Sequence, residues 1–252
     1  MAPGKHPLIV FSHGYTGSGD QTIFLMEALA RAGYIVAAPN HADAPAERGK
    51  QPAAMPNFFD PNSWDSTKFF DRKEDVTALV DELIARGRDP QSFLFEHVDE
   101  ALIGAAGHSL GGYTVLGLAG ARPLWRERRV RAVVAYSPYA MPYDSSALAA
   151  VAVPTMLQGG THDWGITPFL PAAYAKLPPP KYYLVLMNEN HIAWTNLLAI
   201  GKSTIEVGQS GNGKWMVDYT IAFFDQHLRG QDRSALLKQQ NPLLDTYRFQ
   251  AE

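Results

Sequence analysis

The segment Ala101-Leu102-Ile103-Gly104-Ala105-Ala106-Gly107-His108-Ser109-Leu110-Gly111 narrows the possible folds more than any other in the chain. The run from Ala101 to Ala106 reads as a buried strand. It leads directly into Gly-x-Ser-x-Gly, and small and apolar residues from Leu110 to Ala121 continue as a helix. Strand, tight turn and helix in that order form the setting of a nucleophile elbow. A side chain at Gly107 or Gly111 would collide with the neighbouring strand and helix. The turn would hold Ser109 in a strained backbone geometry, with its oxygen above the sheet at a helix N-terminus that favours developing negative charge. A serine alcohol is a weak nucleophile, so Ser109 needs a base, and the base needs an orienting acid.

The rest of the chain supplies the frame for such a turn. Strands are expected at Leu8 to Phe11, Ile35 to Ala38, Val130 to Tyr136, Pro154 to Gln158 and, as the last, Tyr182 to Leu186. Helices are expected at Gln21 to Ala32, stopped by Gly33, at Asp71 to Arg86, stopped by Gly87, and at Lys214 to Leu228. Alternating strands and helices imply an α/β fold with a mostly parallel sheet covered on both faces. No internal repeat or linker divides the chain, so one domain over 1–252 is expected. Residues 41–70 carry four prolines and the aromatics Phe58, Phe59, Trp64, Phe69 and Phe70 without sustained periodicity. That stretch is a candidate lid, with Phe58, Phe59 and Trp64 over the pocket.

Chain order then assigns the partners of Ser109. The base is expected after the last strand, where His191 stands in Asn188-Glu189-Asn190-His191; the later His227 falls near a helix end. The acid is expected after the preceding strand, which points to Asp163, with Asp144 and Glu189 as weaker candidates. A tetrahedral intermediate needs donors aimed at its oxygen. The Leu110 N–H and the Tyr15 N–H, from the His13-Gly14-Tyr15-Thr16-Gly17 loop, are the expected pair. His13 precedes the nucleophile and is read as ordering that loop. Tyr15, Trp164 and Trp194 flank the three loops and are expected to contact substrate, and His162 beside Asp163 is a lesser candidate for support.

Composition excludes other classes. The net charge is -3 and no basic block occurs, which argues against nucleic acid as a partner. No apolar run approaches the roughly 20 residues of a membrane span. The absence of cysteine removes disulfides, thiolate metal sites and a cysteine nucleophile, and leaves the compartment open. No histidine spacing suggests a metal site, and no cofactor is expected. Met1 to Pro7 is too short and polar for a signal peptide; the chain is expected to be soluble, either cytoplasmic or secreted with a leader removed. Oligomeric state is left open.

The runs Pro7 to Gly14 and Ile103 to Gly112 resemble the dienelactone-hydrolase-like branch of the α/β-hydrolases, which includes platelet-activating-factor acetylhydrolases and bacterial polyester-degrading cutinases. Gly14-Tyr15-Thr16-Gly17 is similar to the oxyanion loop of those cutinases, and Pro154 to Asp163 and His191 match the acid and histidine stations. The resemblance covers about residues 7 to 228. It implies an α/β-hydrolase fold with reduced N-terminal strands and hydrolysis of carboxylic esters, of short-to-medium acyl or aryl groups or of polyesters. The chain departs from the branch in three ways. True dienelactone hydrolases use a cysteine where Ser109 stands. The cutinases usually carry Met at the position of Leu110, and usually a disulfide. An amidase or peptidase on the same triad, and a non-catalytic binding protein of this fold, are the alternatives.

Overall fold

The computed structural model describes residues 3–45, 57–199 and 201–251. Seven strands form one sheet: β1 (His6–Ser12), β2 (Ile35–Ala37), β3 (Val98–His108), β4 (Val130–Tyr136), β5 (Thr155–Gly160), β6 (Lys181–Leu186) and β7 (Leu244–Gln250). Their order is β2-β1-β3-β4-β5-β6-β7, parallel throughout except that β7 runs antiparallel to β6. The helices are α1 (Ile23–Arg31), α2 (Phe70–Arg88), α3 (Leu110–Leu116), α4 (Ser145–Ala149), α5 (Leu170–Lys176), α6 (Thr204–Gln209), α7 (Gly211–His227) and α8 (Ser234–Leu237).

Successive residues of a strand point to opposite faces, and the sequence fills both. Leu8, Val10, Ile103, Ala105, Val133 and Leu157 face one layer, which holds α2 to α5. Ile9, Phe11, Ala106, Val134, Met156 and Leu184 face the other, which holds α1, α7 and α8. The near-continuous apolar strands are thus those of a sheet buried on both sides. In a parallel sheet every strand delivers its C-terminal end to the same edge. The loops after β1, β3, β5 and β6 therefore gather there.

Several expectations need correction. Tyr182 to Leu186 is not the last strand, because β7 adds to its outer edge. β7 draws its backbone partners from β6 and stays largely exposed, so it carries only a weak apolar pattern. Gly87 does not stop α2, which continues to Arg88 and ends before Asp89-Pro90. Gly87 is there for space: a Cβ would lie 2.8 Å from Val98. After Leu116 the expected helix widens into a π turn over Gly117–Ala121, with Gly120 at φ 127°. Gly33, at φ 87°, ends α1 as expected.

The glycines of the elbow meet their expected constraint. A Cβ on Gly111 would sit 1.8 Å from the Ser12 carbonyl oxygen, and one on Gly107 would sit 2.3 Å from the Gly111 oxygen. Both obstacles are backbone and cannot swing aside. Gly111→Ala should cost at least about 3 kcal/mol, on the order of 10 °C in Tm, as read by circular-dichroism melting. A melt that matches the wild type would remove this packing argument.

Candidate functional site

β3 ends at His108 and the chain turns at once into α3. Ser109 sits between them at φ 56° and ψ −115°, a left-handed conformation that costs a non-glycine residue on the order of 1–3 kcal/mol. The strain is held in place by hydrogen bonds on both sides. The Ser109 N–H donates to the Tyr136 carbonyl at 2.9 Å, and its carbonyl accepts from the Tyr113 and Tyr139 N–H groups at 3.1 Å each. The hydroxyl is left facing the edge where the loops gather.

Two loops bring the expected partners to it. After β6, Asn190 caps a 3₁₀ turn over His191–Trp194 by accepting from the Ile192 N–H. His191 Nε2 lies 2.9 Å from Ser109 Oγ. After β5, Asp163 is buried, 3% exposed, and its Oδ2 lies 2.9 Å from His191 Nδ1. The other acid candidates are engaged elsewhere: Asp144 caps α4 through the Ala147 N–H, and Glu189 accepts from Asn212. His227, at the end of α7, bonds to the Tyr182 OH of β6. The hydroxyl, imidazole and carboxylate therefore form a continuous hydrogen-bonded chain, which can move a proton off Ser109 onto His191 while the carboxylate fixes the ring.

Three groups at this site escaped sequence reasoning. Ser137, fully buried at the end of β4 with φ 42°, donates its hydroxyl to Asp163 Oδ2 and lies 3.1 Å from His191 Nδ1. The Ser-Pro pair reads only as a strand end. His108 bonds through Nε2 to the His191 carbonyl at 2.8 Å, so Nε2 must carry the proton, and Nδ1 accepts from Gln21 Nε2 at 2.8 Å. Gln21 Oε1 in turn accepts the Gly14 N–H at 2.7 Å. One partly buried relay thus links the loop after β1 to the loop that carries His191. Nothing in the local pattern around Gln21 announces that contact.

The loop after β1 lies beside the elbow; a Cβ on Gly14 would be 3.4 Å from Ser109 Cβ. His13 orders this loop with both ring nitrogens. Nδ1 donates to the Gly14 carbonyl at 2.7 Å, and Nε2 accepts the His41 N–H at 3.0 Å. Behind it, Ser12 Oγ, His41 and Asp75 form a second serine–histidine–aspartate chain, with both links at 2.8 Å. Ser12 and His41 are at most 1% exposed, so no substrate reaches that array.

The expected substrate contacts divide. Trp164 is 78% exposed beside Asp163, and Ile192, next to His191, is 41% exposed. Tyr15 is half-buried, its ring edge-on to Phe58 and Phe69. Trp194 is a correction: it is fully buried, with Nε1 donating to Gln158 Oε1 at 3.2 Å, and cannot touch substrate. The 3₁₀ turn that presents His191 outward carries Trp194 round into the core. The lid expectation changes as well. Trp64 is buried against Tyr113 and Tyr139, Phe58 packs on Tyr15 and Tyr139, and Phe59 is fully exposed. These rings make a wall on the body; the part of the expected lid at 46–56 lies outside the described residues. His162 is exposed and meets Trp164 rather than the acid. Among the described residues, no three His, Cys, Asp or Glu side chains are grouped to hold a metal ion, and no helix is long and apolar enough to cross a membrane.

Burial keeps the supporting histidines neutral. It lowers His13 to about 4, with Arg72 adding to the effect, and lowers His108 to about 3, with His191 adding. His227 falls to about 4 by burial alone, and burial pulls His41 the same way. Each binds a proton below the usual value of 6.5 in the unfolded chain, but only at a lower pH in the folded one. Stability is therefore complete above that value and falls as pH drops below it, by up to about 1.4 kcal/mol per pH unit for each histidine. Tm measured from pH 7 to pH 4 should fall steeply, and His227→Gln should make the fall shallower. A Tm independent of pH over that range would contradict this protonation pattern.

A family described as the Alpha/beta hydrolase family has a model that matches residues 9–237. No curated protein matches the chain. The match runs from β1 through α8 and takes in all of the loops described above. Together with the seven-stranded, mostly parallel sheet and its helices on both faces, it places the chain in the alpha/beta hydrolase family, with the fold and the hydrolase class that this family denotes.

Proposed function

We propose that this hydrolase cleaves carboxylic esters through an acyl-enzyme on Ser109, with His191 as general base and acid and Asp163 as its orienting carboxylate. The observation that carries the reading is the unbroken chain from Ser109 Oγ to His191 Nε2 and from His191 Nδ1 to Asp163, 2.9 Å at each link. His191 takes the Ser109 proton as Oγ attacks the carbonyl carbon. The oxyanion accepts from the N–H groups of Leu110 and Tyr15. Leu110 is the first residue of α3, so its N–H has no intrahelical acceptor, and the Tyr15 N–H has no acceptor among the described residues. The alcohol leaves with the proton from His191. Water then attacks the acyl carbon, giving up its proton to His191, which returns it to Ser109 as the acid departs.

Ester substrates with short-to-medium acyl or aryl groups suit the surroundings. The exposed Trp164 and Ile192 stand beside the acid and the base and offer apolar faces without charge. The sequence resemblance to the dienelactone-hydrolase-like branch points the same way and adds polyester chains as candidate substrates.

A fluorophosphonate probe should add one label per chain to the wild type and none to Ser109→Ala. On a p-nitrophenyl ester series, Ser109→Ala should lose roughly 10⁴- to 10⁶-fold in kcat. Asp163→Asn should lose about 10⁴-fold, since the amide presents the wrong tautomer to the ring. Trp164→Ala should raise KM for the longer acyl chains by about 10-fold and leave acetate nearly unchanged. Labelling that persists in Ser109→Ala, or faster turnover of matched anilides than of esters, would overturn the assignment.

A further inference from the structure

Arg72 is the one charged residue on the inward stripe of α2, in line with Val76, Val80 and Leu83, and it is fully buried. One terminal nitrogen donates to both oxygens of Asp43, at 2.7 and 2.8 Å, and to the Gly14 carbonyl at 3.2 Å. The other donates to the His13 carbonyl at 2.7 Å and reaches Ser12 Oγ at 3.4 Å. Asp43 Oδ2 accepts the Thr16 N–H at 2.7 Å. The pair therefore grips the loop at three of its five residues, His13, Gly14 and Thr16.

A count of the donors in that loop shows what the grip leaves. The Gly14 N–H goes to Gln21, the Thr16 N–H to Asp43 and the Gly17 N–H to the Gly14 carbonyl. Between Gly14 and Gly17, only the Tyr15 N–H has no acceptor among the described residues. Thr16, at φ 55°, is held in a conformation that the bond to Asp43 offsets. Taking a guanidinium and a carboxylate out of water costs several kcal/mol per ion, so a buried pair is weak as a stabilising device. Arg72 Nε, moreover, is buried without a partner among the described residues. The feature that such a pair does supply is fixed geometry at the backbone it holds.

We infer that Arg72 and Asp43 are positioning residues that preset the Tyr15 N–H as an oxyanion donor, by binding the carbonyl and N–H groups on either side of it. The inference rests on the ester-hydrolase reading, in which Ser109 is the nucleophile. A purely structural role would change stability alone. A positioning role changes transition-state binding while substrate binding holds.

The test compares wild type, Arg72→Lys and Asp43→Asn on p-nitrophenyl butyrate and against an alkylboronic acid. Ser109 Oγ adds to boron, its proton passes to His191, and no group leaves. The tetrahedral adduct places an oxygen where the ester's oxyanion would lie. Each variant should lose roughly 10- to 100-fold in kcat, with KM changed by less than about 3-fold, and the boronate Ki should rise by the same factor as kcat/KM falls. A folded variant with wild-type kcat and Ki, or one whose kcat falls with Ki unchanged, overturns the positioning role. If Arg72→Lys fails to fold, Asp43→Asn decides, because it keeps the size and one acceptor oxygen. A wild type that neither binds the boronic acid nor turns over the ester overturns the ester-hydrolase reading itself, and this inference with it.

Discussion

The contact between the start of α3 and the end of β1 governs the working edge of this protein. The two backbones approach so closely at Gly111 and Ser12 that not even a methyl group fits between them. That approach does two things together. It clamps the turn in which Ser109 holds its left-handed conformation, and it lays the loop that starts at His13 beside that turn. The N–H groups of Leu110 and Tyr15 then come from two segments nearly a hundred residues apart, yet they belong to one packed unit. Everything proposed about oxyanion stabilisation depends on this interlock.

Around it lies a largely buried polar layer. Arg72, Asp43, His13, His41 and Asp75 support the loop from one side, and Gln21 and His108 link it to the carbonyl of His191 on the other. Buried polar groups are costly when unpaired and stiff when fully paired. Here nearly all are paired, and the rigidity falls on the loops that carry the proposed donors and base. The two serine–histidine–aspartate chains illustrate the difference that position makes. Ser12, His41 and Asp75 repeat the hydrogen-bond order of Ser109, His191 and Asp163, but with Ser12 and His41 closed inside the core they can only hold structure.

Much of this is legible in the amino-acid sequence. The strand before Gly107 and the small-residue helix after Ser109 are local patterns, and so is the Gly33 stop. The positions of Asp163 and His191 followed from chain order, since each loop after a parallel strand must open on the same edge. β7 carries no such pattern, because an exposed edge strand needs no apolar face. Arg72 left one trace, a charge where the stripe of α2 calls for an apolar residue. Ser137 left none beyond a strand-ending Ser-Pro. Trp164 follows its station by one residue and Trp194 by three, yet one is open to solvent and the other fills the core.

The amino-acid sequence by itself determined the layers, the strand that carries Ser109 and the three loops from which its partners come, because these rest on periodicity and on the steric needs of short segments. Only the tertiary structure decided which side chains meet across those loops. Ser137 on Asp163, Gln21 on His108 and Arg72 beneath Gly14 are contacts between residues tens of positions apart, set by how the helices settle on the sheet. The direction in which a short turn rotates each successive side chain is of the same kind, and it is what separated Trp164 from Trp194.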